Sequence, residues 1–178
     1  INQYNKQGKK HGIWKGYHEN TQIKRYEGEF NHGTPVGRFT YYAIEGHVSG
    51  KVDFINDSIS SAQMFHDNGS IMAEGKFLNQ TKSGKWYIYS RSGYLLNVLH
   101  YLNGALEGTQ YSYYPKFDDY EKVKVMEQYE CAGGLKNGVW KEFHKLGTVK
   151  AQGNYVEGNK EGVFIYYFIN GSIETVSY

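Results

Sequence analysis

The sequence predicts an all-β chain of repeated strand–turn–strand units, and three observations carry that prediction. A ten-residue pattern recurs: a glycine, an aromatic two later, an aromatic five later and, in most copies, a second glycine nine later. Glycine numbers 22 and tyrosine 18 among 178 residues while proline numbers 2, a balance that favours short strands joined by glycine turns. No segment keeps apolar residues at i, i+3, i+4 and i+7 for three turns, and glycine interrupts about every dozen residues, so helices are disfavoured.

The copies can be taken in order from the glycine that opens each. It falls at Gly12, Gly37, Gly84, Gly108, Gly138 and Gly162, with Ser60 in the third place, so the spacings are 25, 23, 24, 24, 30 and 24. The first copy reads Gly12-Ile13-Trp14-Lys15-Gly16-Tyr17 and the second Gly37-Arg38-Phe39-Thr40-Tyr41-Tyr42. The third departs, with Ser60 and Ala62 where glycine and aromatic belong, and is expected to form a bend. The fourth, Gly84-Lys85-Trp86-Tyr87-Ile88-Tyr89, is the fullest. The fifth has Gln110 at the aromatic place and carries the insertion 115–120, which is expected to lengthen one hairpin into a protruding flap. The sixth and seventh, from Gly138 and Gly162, return to the pattern. Within a copy an aliphatic follows the second glycine by two residues (Val48, Ile71, Leu95, Val149, Ile173), and a further aromatic segment holds Phe30, Phe54, Phe77, Tyr101 and Tyr155. Each half-repeat of about 12 residues suits one strand of five or six residues and a turn. The whole, 1–178, reads as a single repeat domain.

The segment Tyr26-Glu27-Gly28-Glu29-Phe30-Asn31-His32-Gly33, followed by Gly37, resembles the MORN repeat, and the other copies resemble its bacterial MORN-like variant. The resemblance covers roughly residues 8–178. It implies an elongated, curved, single-layer antiparallel sheet of about seven stacked β-hairpins, and no one activity. In such a sheet each hairpin buries its apolar side on its neighbours, a task for large rings. Trp14, Phe39, Trp86, Trp140 and Phe164 make one ladder; Tyr17, Tyr42, Phe65, Tyr89, Phe143 and Tyr167 make a second. The ladders are three residues apart, so either both faces carry rings or a bulge lies between them. If both faces carry rings, one is exposed and marks a binding surface.

Candidate chemistry is sparse. A net charge of +2 argues against nucleic-acid binding built on charge. Cys131 is the single cysteine, read as a buried small hydrophobe rather than a nucleophile. His11, His18, His32, His47 and His66 lack close metal-ligand spacing, and His18 and His144 occupy equivalent repeat places. Asp118, Asp119 and Glu121 lack the alternating ligands and glycine bend of a calcium loop. The sequons at Asn56, Asn68, Asn79 and Asn170 include two Asn-Gly-Ser turns. No catalytic residue, metal or cofactor is expected, nor an enzyme activity.

The expected function is a non-catalytic protein–protein interaction or scaffold module. Phe117, Asp118, Asp119 and Tyr120 are the candidate partner-binding residues, rings as anchors and carboxylates as a rim. No nucleic acid or small-molecule substrate is expected as a partner. Membrane association, through a lipid anchor or a lipid surface, is the alternative that the resemblance implies, and the low charge weakens it. Some bacterial relatives carry an antitoxin label, a further alternative. The resemblance also implies export to the cell envelope, lipid-anchored or periplasmic, with a cytoplasmic place as the other option. A start at Ile1 rather than Met fits a removed leader or a trimmed chain, and no apolar run is long enough for a transmembrane helix.

Overall fold

The computed structural model describes residues 1–115 and 122–177. Two compact units divide the chain: Ile1–Lys82 with Arg91–Gly93, and Ser83–Ser90 with Tyr94–Tyr178. In the first unit β1 (Gln3–Tyr4), β2 (Lys10–Tyr17), β3 (Lys24–Asn31), β4 (Thr34–Tyr42), β5 (Val48–Phe54), β6 (Ile59–Phe65) and β7 (Ile71–Leu78) lie side by side in chain order. In the second, β8 (Thr81–Tyr89) has its body, followed by β9 (Leu95–Leu102), β11 (Gly108–Tyr113), β12 (Val125–Ala132), β13 (Leu135–Phe143), β14 (Val149–Val156), β15 (Asn159–Tyr167) and β16 (Ile173–Ser177). The short β10 (Ala105–Leu106) folds back on β9. Every pairing is antiparallel, and no helix occurs among the described residues, so each unit is an open antiparallel sheet of hairpins such as the repeats predict.

Two connections alternate. Tight turns of two residues with positive φ, such as His32-Gly33 and Asn103-Gly104, match the right-handed twist of the strands they join. The wider turns close over five residues, as in Ala43 N–H to His47 O (2.9 Å) and His144 N–H to Thr148 O (2.8 Å). In two of them Asn68 Oδ1 and Asn170 Oδ1 accept from the backbone and hydroxyl of Ser70 and Ser172, the turn chemistry expected of Asn-Gly-Ser.

Two irregularities recur, and each explains part of the repeat. The first is one extra residue beside the second ring of a copy. Tyr41 pairs with Gly50 but Tyr42 with Val48, which leaves Ser49 over. The same step sets Phe65 opposite Ile71, Tyr89 opposite Leu95, Phe143 opposite Val149 and Tyr167 opposite Ile173. Each recurring aliphatic is thus the cross-strand partner of a second-ladder ring. The second irregularity puts two extra residues around the opening glycine. Glu27 pairs with Thr40 but Glu29 with Val36; Tyr129 pairs with Trp140 but Cys131 with Lys136. Gly37 (φ 63°) and Gly138 (φ 114°) sit in those loops of extra chain, where a side chain would be strained.

In the third copy β5 and β6 pair from Gly50–Met64 to Phe54–Ser60 with no register shift, and Ser60 stands in that regular stretch. Serine replaces glycine where the extra residues are missing and positive φ is not needed. In the fifth copy Gln110 is fully buried and does the work of a ring by other means. Its Oε1 accepts from His100 N–H (2.7 Å), and its Nε2 donates to the carbonyls of Glu107 (3.1 Å) and Gly108 (3.0 Å). It satisfies main-chain groups that the extra residues would leave buried and unpaired. The insertion falls between β11 and β12, in a lengthened hairpin connection, and Phe117, Asp118, Asp119 and Tyr120 lie outside the described residues.

Candidate binding faces

The first ladder is core except at the half-buried Trp140. Trp14, Phe39, Trp86 and Phe164 are 7%, 2%, 0% and 2% exposed, although among the described residues no second layer covers them within either unit. Three features close them off. The rings of the further aromatic segment pack edge-on: Phe30 and Phe54 lie 5.1 and 5.2 Å from Phe39, and Tyr155 lies 5.7 Å from Phe164. Glycine lies beneath: a Cβ on Gly28 or Gly153 would stand 2.4 Å from the ring of Phe39 or Phe164. Lysine stems lie above. Lys10 Nζ is 4.7 Å from the Trp14 ring and Lys160 Nζ 4.7 Å from the Phe164 ring, each two residues before an opening glycine.

The second ladder lies on the other face. β2 runs from Trp14 to Tyr17 and β4 from Phe39 to Tyr42 without an extra residue of their own, since the bulges sit on the partner strands. Three residues apart on an unbroken strand, the two ladders point opposite ways. Both faces therefore carry rings. The second face is the less covered: Tyr17 is 49% exposed, with Ile13, Val139 and Val163 exposed beside the ladder positions. It is also charged. Arg38 grips Asp53 through two hydrogen bonds (2.7 and 2.8 Å), and Lys24 bonds Glu27 (2.7 Å) while lying 4.6 Å from the Tyr42 ring. The Arg38 guanidinium holds the Asp53 carboxyl below its ordinary pKa, and Lys24 does the same for Glu27.

The remaining sequence candidates have structural roles. His18 Nε2 donates to Tyr42 O (3.0 Å) and His144 Nε2 to Tyr167 O (3.0 Å), each gripping the main chain of the following hairpin. Tyr114, at the same repeat place, donates from its hydroxyl to Phe143 O (2.6 Å). The His11 and His32 rings lie 4.9 Å apart, tilted by 41°, and His32 Nδ1 accepts from Asn5 Nδ2 (2.7 Å). Asp67 is held by Arg91 (2.7 Å). Cys131 is buried, which pushes its thiol pKa up. Among the described residues no three His, Cys, Asp or Glu side chains gather as metal ligands would.

One concave site was not read from the sequence. On the first face of the first unit an open cleft of about 400 Å³ is lined by Lys10, Arg25, Tyr26, Phe30, Phe39 and Tyr41. Tyr26 lies over Gly16, where an added Cβ would fall within 2.2 Å of its ring. Lys10 Nζ donates to Tyr26 Oη (3.0 Å), and the Arg25 guanidinium carbon stands 5.7 Å from the Tyr26 ring. Burial raises the Tyr41 phenol above its ordinary pKa, and the neighbouring Tyr26 adds to the shift. The available signal was lysine two places before the opening glycine, at Lys10, Lys82, Lys136 and Lys160.

Hairpin upon hairpin, ring-laddered on both faces, the fold defines a repeat protein. Residues 136–157, which span the pairing of β13 with β14, match the family model described as a MORN repeat variant. The resemblance read from the repeats is thus found in the sixth copy, and it supports a repeat-built binding or scaffold module in general terms. No curated protein matches the chain.

Proposed function

We propose that this chain is a non-catalytic module that binds a protein partner through the second face. The observation that carries the reading is the half-covered ladder there: rings paired with aliphatics, bordered by fixed ion pairs. Such a surface combines apolar anchors with a polar rim, the make-up of a protein–protein contact. No catalytic step is assigned to any residue in this reading.

The test is site-directed photocrosslinking in the native host. A photoreactive phenylalanine analogue replaces Tyr17, Tyr42 or Tyr167, with Lys6 as an exposed control position. A defined protein band from the ladder positions, absent from the control, is expected. If the ladder positions give no protein adduct above the control, the reading falls. Flotation with anionic vesicles is the companion measurement, and recovery of the chain with lipid alone would favour membrane association instead.

A further inference from the structure

We infer that the cleft at Lys10 and Arg25 docks an acidic peptide segment of a protein partner, with an apolar side chain seated among the rings and carboxylates on the two cations. The inference rests on the reading that the partner is a protein, and adds a second contact surface on the opposite face.

Counting from the opening glycine, Lys10, Trp14 and Gly16 of the first copy stand where the sixth has Lys136, Trp140 and Glu142. Across the hairpin, Arg25 and Tyr26 stand where the sixth has Lys150 and Ala151, since Gly16 pairs with Tyr26 as Glu142 pairs with Ala151. Arg25 and Lys150 are both the extra residue of their bulge. In the sixth copy both cations are neutralised from within. Lys136 Nζ meets Glu127 Oε1 at 2.6 Å, an oxygen that also accepts from Trp140 Nε1 at 2.6 Å, and Lys150 Nζ meets Glu142 Oε1 at 2.7 Å. In the first copy both cations are kept, and the acid that meets the second of them is not. Gly16 replaces Glu142, Trp14 Nε1 donates to Gln3 O (3.1 Å), and neither Lys10 nor Arg25 meets a carboxylate among the described residues. Tyr26 fills the place of Ala151 and, with Phe30, Phe39 and Tyr41, walls the cleft.

The fold thus shows which anion these cations accept in this geometry, a carboxylate, and leaves that position open beside a ring-lined hollow. A volume of about 400 Å³ is within the usual range of about 300–1,000 Å³ for small ligand pockets, enough for one large apolar side chain and its flanking acids. Facing cations raise the association rate of an acidic segment and fix its register, and the rings supply the apolar anchor.

The experiment uses fluorescence anisotropy at low salt. The probe is a labelled ten-residue peptide with two glutamates on each side of a central phenylalanine, and its all-glutamine counterpart is the control. The whole chain is compared with Arg25→Gln, an exposed position whose change spares the fold, with Lys10→Gln, and with Gly16→Glu/Tyr26→Ala, which installs the sixth copy's own acid. Saturable binding of the acidic probe is expected, weakened about tenfold or more by each variant and by the glutamine control. Equal binding by the chain and by Arg25→Gln would overturn the site. No binding of the acidic probe to the unaltered chain would overturn it too, while photocrosslinks from Tyr17 or Tyr167 would leave the protein-partner reading standing. Vesicle binding that depends on Lys10 and Arg25, with no peptide binding, would replace the acidic peptide by a lipid surface.

Discussion

Replacing Gly28 by alanine should destabilise the first unit, and the structure gives the size and the sign of the effect. Gly28 lies under the Phe39 ring, and an alanine Cβ there would stand 2.4 Å from it, where ordinary contact begins near 3.4 Å. The ring would have to rise by about 1 Å, against Phe30 and Phe54 packed edge-on at 5.1 and 5.2 Å. Overpacking of this kind costs about 1–3 kcal/mol. Gly28 has no positive φ, so alanine also removes freedom from the unfolded chain, worth about 0.4–1 kcal/mol in its favour. The net expectation is a loss of about 1–2 kcal/mol, measured from urea midpoints at constant m. The diagnostic is the sign change with Phe39→Ala, which alone should cost about 3–5 kcal/mol. With the ring gone, Gly28→Ala should become neutral or stabilising, a coupling of about 2 kcal/mol in the double-mutant cycle. Gly153→Ala with Phe164→Ala should repeat the result in the second unit, since the geometry is the same at 2.4 Å. Gly50→Ala is the control: its nearest neighbour would be Gln63 O at 3.5 Å, an ordinary contact, and no loss is expected. An equal cost for Gly28→Ala with and without the Phe39 ring would refute the packing argument.

Trp86→Ala should cost about 3–5 kcal/mol in a denaturant melt because the side chain is 0% exposed, and Trp140→Ala, half-buried, should cost less. Gln110→Ala should cost about 1–3 kcal/mol by leaving His100 N–H without its acceptor; thermal melts would read it, and a neutral result would mean water replaces the amide. The folded pKa values of Asp53 and Asp67 are lowered, chiefly by hydrogen bonds from Arg38 and Arg91. Stability from these pairs is therefore full above the ordinary carboxylate range and lost as pH falls through the lowered values. Asp53→Asn should flatten the acid limb of a stability–pH curve, and an unchanged limb would count against the pairing. Cys131, buried with its thiol pKa raised, should react with a thiol reagent at neutral pH only as fast as the second unit opens; rapid labelling of the native protein would contradict its burial.

The period and the ring positions were legible in the sequence because glycine and aromatics mark turns and packing without outside help. Strand order followed, since each half-repeat reaches only its neighbour. What the ladders do on each face was not legible. That depends on the single extra residue beside each second ring, such as Ser49 or Lys150, which looks like any other strand residue in the sequence. Gln110 and Ser60 read as lapses in the pattern, yet one satisfies buried main chain and the other stands where no positive φ is needed. The cleft escaped notice because its signal is comparative: two cations retained and one acid lost, Gly16 for Glu142, between equivalent places of two copies. The residues 117–120 stood out in the sequence as content that the repeat does not require, and they lie outside the described residues.

The grip of His18, Tyr114 and His144 on the next hairpin bears on how such a chain can grow. Each reaches a backbone carbonyl, at Tyr42, Phe143 and Tyr167, and asks nothing of the neighbour's side chain. A carbonyl only accepts, so the imidazole must present an N–H to it. Imidazole and phenol serve alike. A coupling that is blind to its neighbour's identity lets copies drift apart in sequence while staying fastened. It also lets a whole copy be duplicated or excised at the DNA level with the new junction already compatible, so selection can vary the length of the array independently of what any one copy binds.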